Sequence, residues 1–412
     1  MLKIGMIGAG FVAAFHERAL CSVRGVELTG ICAPEGAEAL AKRARQDGLG
    51  NTEVYDNIAD ICDAVDVVCI FAPNYVRLDI MRSIAKAIEN GSEIKGIICE
   101  KPLARNLQEA DVMARMAKAL HVPTAYFENQ LHMPCVVEAR NQLKAVEKSM
   151  GSVHLSRSAE EHGGPHEPWF WDPTRQGGGV CCDMGCHSIA VGMYTLTPSG
   201  KRPDYLTPVS VTANMALLKW GKEPWISRLK ERGVDYKDTP AEDYSNVTIE
   251  FKDPETGINS IAQATNSWMY DAPGLRLLME AFGPGYSYTV NSLESPAGIF
   301  ISDAAATAVA DGELALEKAQ ATRGALVLQP NEPDLYGYVA EWRDAISAFE
   351  KGKNAMLDFQ YGRRITMLVM AAYMAHEKKA TIDLTDSEVL QALESYIPMI
   401  QQGKGAEVLL GA

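Results

Sequence analysis

The chain has 412 residues, of which 47% are hydrophobic and 22% are charged, and this size and balance are typical of a globular protein with about two domains. The 39 basic residues are outnumbered by 53 acidic ones, so the formal net charge is −14. That acidic excess argues against nucleic acid and anionic membrane surfaces as partners.

The cysteine content and the first residues bear on the compartment. The nine cysteines are odd in number and follow no spacing framework, which is typical of reduced thiols in the cytoplasm. The opening segment LKIGMIGAG reads as a strand and leaves no room for a signal peptide. No apolar run reaches the roughly 18 residues that a membrane helix needs. We therefore expect a cytoplasmic protein.

Up to about residue 128, short apolar strands alternate with amphipathic helices. This alternation predicts a doubly wound parallel sheet with helices on both faces. We expect a dinucleotide-binding domain over residues 1–128. Its predicted strands are 3–7, 26–32, 66–73, 96–99 and 122–127, and its predicted helices are 12–22, 35–47, 76–89 and one beginning after Asn106.

The pattern changes in residues 129–412, where longer segments alternate polar and apolar side chains. Such segments predict hairpins in a large, mainly antiparallel sheet. The polar insert 219–243 is expected to be partly helical, and two helices at about 336–351 and 361–377 are expected to pack back on the domains. The fold class is therefore α/β, with the second domain serving substrate binding and oligomerisation. The predicted strand segments are 151–161, 209–220, 244–253, 259–270, 275–291 and 298–302.

The first strand runs into a glycine turn and then a helix. Gly8, Gly10 and Ala13 form the pattern G-x-G-x-x-A. Gly8 permits the tight turn, Gly10 lets a pyrophosphate approach the backbone, and Ala13 keeps the helix close to the strand. At the helix N-terminus, where Phe11 and Val12 stand, unpaired N–H groups face the phosphates. The motif predicts a dinucleotide site.

The end of the second strand bears on the choice of cofactor. An acidic residue usually stands there to bind the adenosine ribose, but this chain has Ala33, with Glu35 two residues later. No arginine stands at that position for a 2′-phosphate, and Arg43 lies farther along the next helix. The pattern favours NAD, with NADP left open.

Two charged clusters are candidates for the chemistry. Glu100 and Lys101 follow a buried strand directly, where an unused charge costs free energy. Asp183 and His187 are four residues apart and share a helix face, and a carboxylate beside an imidazole suits general acid–base work near neutral pH. From the residues alone, a capping aspartate and a core histidine remain the alternative.

Three motifs together resemble the Gfo/Idh/MocA oxidoreductases, a family named for glucose–fructose oxidoreductase, inositol dehydrogenase and a rhizopine-catabolism protein. They are the glycine turn at residues 8–13, the Glu-Lys-Pro motif at 100–102, and the pattern G-G-G-x-x-x-D-x-G-x-H at 177–187. The resemblance covers most of the chain, including the segment YVAEWRDAISAFEKGK. It implies a Rossmann domain followed by the family's C-terminal α/β domain.

The resemblance also implies roles for particular residues. Lys101 would orient the substrate hydroxyl, His187 would be its acid–base, and Asp183 would orient both, while the nicotinamide accepts the hydride. The family often has histidine where Arg77 stands, which leaves that contact open. Cofactor contacts are implied for Ala72, Pro73, Asn74, Glu100 and Asn129.

The segment 158–179 is rich in histidine and aromatic residues. Aromatic faces stack on sugars, and we expect this segment to be a substrate loop, with a structural aromatic loop as the alternative. No metal is expected, because the residues between the two histidines do not favour a helix and Cys181, Cys182 and Cys186 fit as packing residues. The candidate substrate residues are His162, His166, Trp171 and Arg175.

The leading prediction is an NAD(P)-dependent oxidoreductase acting on a hydroxyl carbon of a sugar, sugar derivative or polyol. The alternative is a redox glycoside hydrolase that retains NAD, in which His162 or His166 would be a second base. A ligand-sensing regulator of the same fold is a minor alternative, disfavoured because Lys101, Asp183 and His187 are all present. Family resemblance implies a homodimer or homotetramer. The sugar, the oxidised carbon and the net reaction stay open.

Overall fold

The computed structural model describes residues 1–237, 239–272, 274–293, 298–301, 324–327 and 331–411. The chain divides into two compact units, and each combines segments that are distant in sequence. The first unit comprises Met1–Pro134, Tyr336–Met367 and Glu394–Tyr396. The second comprises Cys135–Leu335, Leu368–Leu393 and Ile397–Ala412.

The first unit is built on a six-stranded parallel sheet, which confirms the predicted doubly wound domain. The strand order is β3-β2-β1-β4-β5-β6. The order reverses between β1 and β4, and ligands of such sheets bind outside the carboxyl ends of the strands at that point. The strands are β1 Leu2–Ile7, β2 Val26–Cys32, β3 Glu53–Val54, β4 Val67–Ile70, β5 Gly96–Glu100 and β6 Thr124–Phe127.

Local sequence explains where the helices of this unit begin. Asn57 and Asn106 precede α3 and α5, and each side-chain oxygen accepts a backbone N–H three residues later, as expected of N-cap residues. The first-unit helices are α1 Phe11–Leu20, α2 Ala37–Gln46, α3 Ile58–Ala64, α4 Arg77–Glu89 and α5 Leu107–Ala119, together with the helix Tyr338–Phe349 and the first half of Phe359–Lys378.

The second unit contains a seven-stranded sheet in the order β12-β11-β7-β10-β9-β8-β15. Every neighbouring pair is antiparallel except β7 and β10, which are parallel, so the prediction of a mainly antiparallel sheet is confirmed. The strands are β7 Leu155–Glu161, β8 Thr207–Ala216, β9 Tyr244–Lys252, β10 Asn259–Ser267, β11 Arg276–Gly283, β12 Tyr286–Asn291 and β15 Ile382–Asp383.

Two strand predictions in this unit need correction. The segment 275–291 forms two strands, because the Pro284–Gly285 turn lets β12 fold back on β11. The segment near 298–302 forms β13, Gly298–Ile301, which pairs with β14, Gly324–Val327, in a separate two-stranded ribbon rather than in the large sheet.

Helix α8 lies against the large sheet and carries His187. It packs on β7 and β10, and Gly192 allows a close approach, since an added Cβ there would lie 2.9 Å from the Cβ of Ala262. In the described part of the chain, no helix has the length and apolar character needed to cross a bilayer. The helices of this unit include α6 Pro134–Met150, α7 Pro173–Gln176, α8 Cys186–Leu196 and α9 Trp225–Glu231, followed by Glu332–Leu335, Ser387–Glu394 and Gly405–Leu410.

Candidate active site

The glycine turn between β1 and α1 places different demands on its two glycines. Gly8 has a φ of +119°, and an added Cβ would lie 2.7 Å from the carbonyl carbon of Phe71, so a side chain there is excluded. Gly10 has an extended backbone with φ −78°, and an added Cβ would lie more than 4 Å from every atom of the described residues beyond its chain neighbours. Gly10 is the N-cap of α1 and has no side chain with which to cap the helix. The open space before this helix N-terminus fits a pyrophosphate.

The end of β2 lies beside this turn. An added Cβ at Gly36 would lie 3.2 Å from the carbonyl oxygen of Ala9, so the segment that carries Ala33 and Glu35 borders the phosphate turn. Glu35 is exposed. Arg43 is engaged elsewhere, because its Nε donates to the buried Glu17 carboxylate at 2.7 Å.

A buried arginine joins the ends of β4 and β5. The guanidinium of Arg77 donates to the carbonyl oxygen of Ala72 at 2.9 Å and to that of Glu100 at 2.5 Å, and it also bonds the carbonyl of Pro102. Asn74, in the short turn between β4 and α4, is 2% exposed. The sequence left the contacts of Arg77 open. In the structure its guanidinium bonds backbone carbonyls, and these bonds fix the ends of both strands.

The Glu100 carboxylate is buried and hydrogen-bonded on both oxygens. Oε1 bonds His16 Nε2 at 2.9 Å, and Oε2 accepts the backbone N–H of Lys101 at 2.8 Å. The indole N–H of Trp342 donates to His16 Nδ1 at 3.0 Å. Burial raises the pKa of Glu100, but the hydrogen bond from His16 and the nearby cations outweigh it, so the pKa is lowered. A carboxylate held in this way fixes the backbone at Lys101.

Asn129 is the remaining predicted cofactor residue of the first unit. It begins the turn that follows β6 and is 8% exposed. Its side-chain amide donates to the carbonyl oxygen of Tyr336 at 2.7 Å. Asn129 therefore anchors the segment before the helix Tyr338–Phe349 within this unit.

In the second unit, Asp183 lies on a π-helical turn, Cys181–Gly185, and His187 lies in the first turn of α8. Wide turns of this kind occur frequently at functional sites. Both side chains are 3% exposed. Asp183 Oδ2 accepts the indole N–H of Trp268 at 3.3 Å, and Nε2 of His162 lies 3.8 Å from the same oxygen.

His162 is the residue of the predicted substrate loop that the structure brings next to Asp183. It is 2% exposed, and its Nδ1 accepts the backbone N–H of Gly164 at 2.9 Å. A neutral imidazole that accepts at Nδ1 carries its hydrogen on Nε2. The hydrogen of His162 therefore lies on the nitrogen nearer to Asp183.

The other three loop candidates lie in different surroundings. Trp171 is 2% exposed in a cluster with Trp220, Tyr236 and Trp268. Arg175 is exposed and pairs with Asp172 at 3.5 Å. His166 is half-buried, and its carbonyl oxygen accepts from Arg232 at 3.2 Å.

Two of the three cysteines around the wide turn donate hydrogen bonds to nearby backbone carbonyls. The thiol of Cys182 donates to the carbonyl oxygen of Gln176, and that of Cys186 to the carbonyl oxygen of Asp183, both at 3.4 Å. Burial raises the pKa of the Cys181 thiol well above its usual value. Such contacts are those of packed, protonated thiols.

Sequence reasoning missed the side chains that hold the candidate residues in place. His16 and Trp342 support Glu100, and Trp268 contacts Asp183. These partners lie 84, 326 and 85 residues from the groups they bond. No periodicity or motif links residues at such separations, so only the folded chain reveals them.

The parallel sheet and its glycine turn are those of a dinucleotide-binding protein. In the second unit, a buried aspartate on a wide turn precedes a buried histidine in α8. Residues 2–127 match the model of the oxidoreductase family with an NAD-binding Rossmann fold, and residues 144–283 match the GFO/IDH/MocA C-terminal domain. The chain belongs to the GFO/IDH/MocA family. The predicted family and the predicted NAD cofactor are thereby confirmed.

Two curated relatives carry the names of sugar dehydrogenases. Glucose-6-phosphate 3-dehydrogenase of Bacillus subtilis is 30% identical over 227 residues, which are 52% of this chain and 58% of that protein. D-glucoside 3-dehydrogenase of Escherichia coli is 29% identical over 203 residues, 47% of this chain and 54% of that protein. The chain thus spans a little over half the length of these relatives. Neither name describes a glycosidase.

A solved structure shows the same fold over nearly the whole chain. GenD2 from gentamicin A biosynthesis, in complex with NAD, has a TM-score of 0.73 and 21% identity. The match covers 93% of this chain and 96% of that one. At this identity the likeness shows the fold alone.

Proposed function

We propose that this protein is an NAD-dependent dehydrogenase that oxidises a ring hydroxyl of a hexose or hexose derivative. The observation that carries the proposal is the buried pair of Asp183, on the wide turn, and His187, in the first turn of α8, in a chain whose first domain is of the NAD-binding family. The names of the two relatives support the hydroxyl on carbon 3 as the first position to test.

In this proposal His187, Asp183 and Lys101 have different tasks. His187 takes the proton of the substrate hydroxyl, and Asp183 orients the imidazole and the sugar. The Lys101 ammonium stabilises the negative charge that develops on the oxygen. When bound, NAD supplies the hydride acceptor that side chains cannot provide.

Contacts around the phosphate turn support NAD over NADP. A 2′-phosphate is bound by a nearby arginine, and Arg43 is already paired with Glu17. The exposed Glu35 adds a negative charge beside the turn, which disfavours a phosphate dianion. We therefore propose NAD as the preferred cofactor.

The hydrogen bonding of His162 argues against this residue as the second base of the hydrolase alternative, for which His166 is the other candidate. The hydrolase needs a second base to remove the C–H proton next to the new carbonyl. His162 holds its hydrogen on Nε2, and its Nδ1 lone pair accepts the N–H of Gly164. With its hydrogen on Nε2, the His162 ring is a donor towards Asp183, and this arrangement suits a role in orienting the Asp183 carboxylate.

The proposal is tested with free hexoses, hexose phosphates, hexosides and inositols, each incubated with NAD or NADP while absorbance of the reduced cofactor is followed. We expect stoichiometric NADH with a hexose or hexoside. Lys101→Ala should lower kcat by about 10²–10³-fold with NAD affinity retained, by analogy with removal of one oxyanion donor.

Lys95→Ala is the matched control for this variant. Lys95 precedes β5, as Lys101 follows it, and its ammonium pairs with Asp66 at 2.7 Å on the surface. We expect kcat near that of the wild type.

A Lys101→Ala enzyme within threefold of wild type would show that Lys101 has no such role. Aglycone release without net NADH would show a hydrolase instead.

A further inference from the structure

A buried carboxylate supports the segment that leads into Asp183. Glu242, in the connection between α9 and β9, is 0% exposed. Its Oε1 accepts the backbone N–H groups of Gly179 and Cys181, each at 3.0 Å, and the hydroxyl of Tyr373 at 2.6 Å. The Glu242 carboxylate thus accepts two backbone N–H groups of the glycine segment and one side-chain hydroxyl.

The glycines of this segment are needed for that approach. An added Cβ at Gly178 would lie 1.9 Å from the hydroxyl oxygen of Tyr373, and one at Gly179 would lie 2.2 Å from the carbonyl oxygen of Glu242. Real Cβ atoms do not approach other atoms so closely. Glycine is therefore required at positions 178 and 179 of the G-G-G motif, because any side chain there would collide with Tyr373 or Glu242.

The backbone connects this anchor to the predicted acid–base residues. The N–H of Val180 donates to the carbonyl oxygen of Glu242 at 3.0 Å, and the N–H of Asp183 donates to that of Gly179 at 3.1 Å. His187 follows one helical turn later. Glu242 therefore holds the segment through both its side chain and its main chain.

We propose that Glu242, oriented by Tyr373, is a positioning residue that sets the Gly178–Asp183 segment and thereby aligns Asp183 and His187 for proton transfer. This inference rests on the proposed dehydrogenase function. Glu242 itself does not touch substrate in this scheme. Its effect passes through the backbone of the glycine segment.

The surroundings of Glu242 make this support depend on pH. Burial raises its pKa to about 7, although the hydrogen bonds from Tyr373 and the backbone N–H groups lower it in part. The titratable groups around it are Cys181, Tyr236 and Tyr373, whose pKa values are all raised by burial, and Asp243, the next residue. The first three are uncharged near pH 7.

The direction of the effect follows from hydrogen bonding. Above about pH 7 the Glu242 carboxylate is ionised and accepts all of its donors. Below that pH, protonation places a hydrogen on an oxygen that otherwise accepts, so the glycine segment loses an anchor. We expect kcat to fall on the acid side of about pH 7.

Tyr373→Phe tests the inference, because it removes one donor to Glu242 and keeps the ring. Loss of a hydrogen bond to an ionised group should raise the pKa of Glu242 and move the acid limb of kcat up by about one pH unit. Tyr236→Phe is the control, since the Tyr236 hydroxyl donates to the Ala241 carbonyl at 2.6 Å instead. We expect its acid limb to match that of the wild type.

Glu242→Gln supplies a readout that does not need turnover. It keeps the size of the side chain but cannot ionise, so amide hydrogen exchange at Gly179 and Cys181 should become at least tenfold faster, and kcat should fall with KM little changed. Glu242→Asp should restore part of kcat.

Two outcomes would overturn the inference. One is an acid limb in Tyr373→Phe that coincides with those of wild type and Tyr236→Phe. The other is amide exchange at Gly179 and Cys181 that is unchanged in Glu242→Gln. If no sugar is oxidised, the dehydrogenase function fails, but the exchange measurement still decides whether Glu242 holds the segment.

Discussion

At the scale of single residues, the two hydrogen-bond partners of His16 indicate which of its ring nitrogens is the acceptor. An indole N–H only donates, so His16 Nδ1 must be the accepting nitrogen. The hydrogen of the ring then lies on Nε2 and is donated to Glu100. His16, bonded in turn by Trp342, thus supports the buried Glu100 carboxylate that accepts the backbone N–H of Lys101.

Replacing Trp342 with phenylalanine should release this arrangement. The variant keeps an aromatic ring but removes the N–H that selects Nδ1 as acceptor, so the His16 ring should populate both tautomers. Loss of one buried hydrogen bond should also lower the free energy of unfolding by about 1–3 kcal/mol. ¹⁵N NMR of the His16 ring and urea unfolding measure the two effects.

Tyr338→Phe is the matched control for Trp342→Phe. The Tyr338 ring packs edge-on against His16, 5.1 Å between centroids, while the two imidazole nitrogens bond Glu100 and Trp342. We expect the wild-type tautomer in this variant. The same single tautomer in Trp342→Phe would contradict the assignment.

The sequence located Glu100 and Lys101 but not their support. A charged pair after an apolar strand is visible in one line of sequence, since burial of an unused charge is costly. His16 falls on the buried face of an otherwise ordinary helix, and Trp342 follows 326 residues later. Their function depends on a contact that local patterns do not encode.

At the scale of secondary-structure elements, the end of β2 offers a test of cofactor choice. Ala33→Asp places a carboxylate where a ribose hydroxyl is expected, and a carboxylate repels a 2′-phosphate. A hydrogen bond to a charged group is worth about 1.5–3 kcal/mol, so the NAD-to-NADP ratio of kcat/KM should rise at least tenfold. Steady-state kinetics with both cofactors measure it.

Ala33→Asn is the control for charge, because asparagine has nearly the same shape without it. We expect a smaller change in the ratio than with aspartate. An unchanged ratio in Ala33→Asp would mean that the ribose contact is made elsewhere, and Glu35 would be the first residue to examine.

Element positions in the parallel domain were predictable because its strands are short, apolar and separated by helices. The predicted strand 26–32 coincides with Val26–Cys32. The 17-residue helix Pro134–Met150 was not predicted, since only Val136 of its residues is buried and its apolar pattern is weak. The parallel pairing of β7 with β10 was also missed, because nothing local specifies it.

At the scale of the whole molecule, the compact units differ from a division into two consecutive segments. The first unit includes Tyr336–Met367, because Trp342 bonds His16 and the Asn354 side chain accepts the N–H of Thr124 at 2.9 Å. Sequence patterns predicted that C-terminal helices pack back on the domains. Both of these hydrogen bonds join residues that are more than 200 positions apart in the sequence.

Cofactor binding should add to the stability of the first unit through the glycine turn. NAD at 100 times its Kd should raise the free energy of unfolding by about 2.7 kcal/mol. Gly10→Val should abolish this gain, because its Cβ enters the space that fits the pyrophosphate. The same variant should be as stable as wild type without NAD, since in the part of the chain that the structure describes only the chain neighbours of Gly10 lie within 4 Å of an added Cβ.

Denaturant unfolding with and without NAD measures both quantities. Gly8→Ala is the contrasting variant, because its Cβ would collide with Phe71 and its φ of +119° disfavours a side chain. It should lose stability even without NAD. Full NAD-dependent stabilisation of Gly10→Val would show that the cofactor binds elsewhere.

The difference in exposure among the cysteines determines where the protein can be labelled for spectroscopy. Seven thiols are buried, whereas Cys21 and Cys135 are exposed, and these two belong to the first and second unit respectively. Partial desolvation raises the pKa of both, so mildly alkaline conditions favour their alkylation. The natural chain therefore offers one attachment point for a spin or fluorescent label on each unit, and the response of each unit to cofactor or sugar becomes measurable without engineering a cysteine.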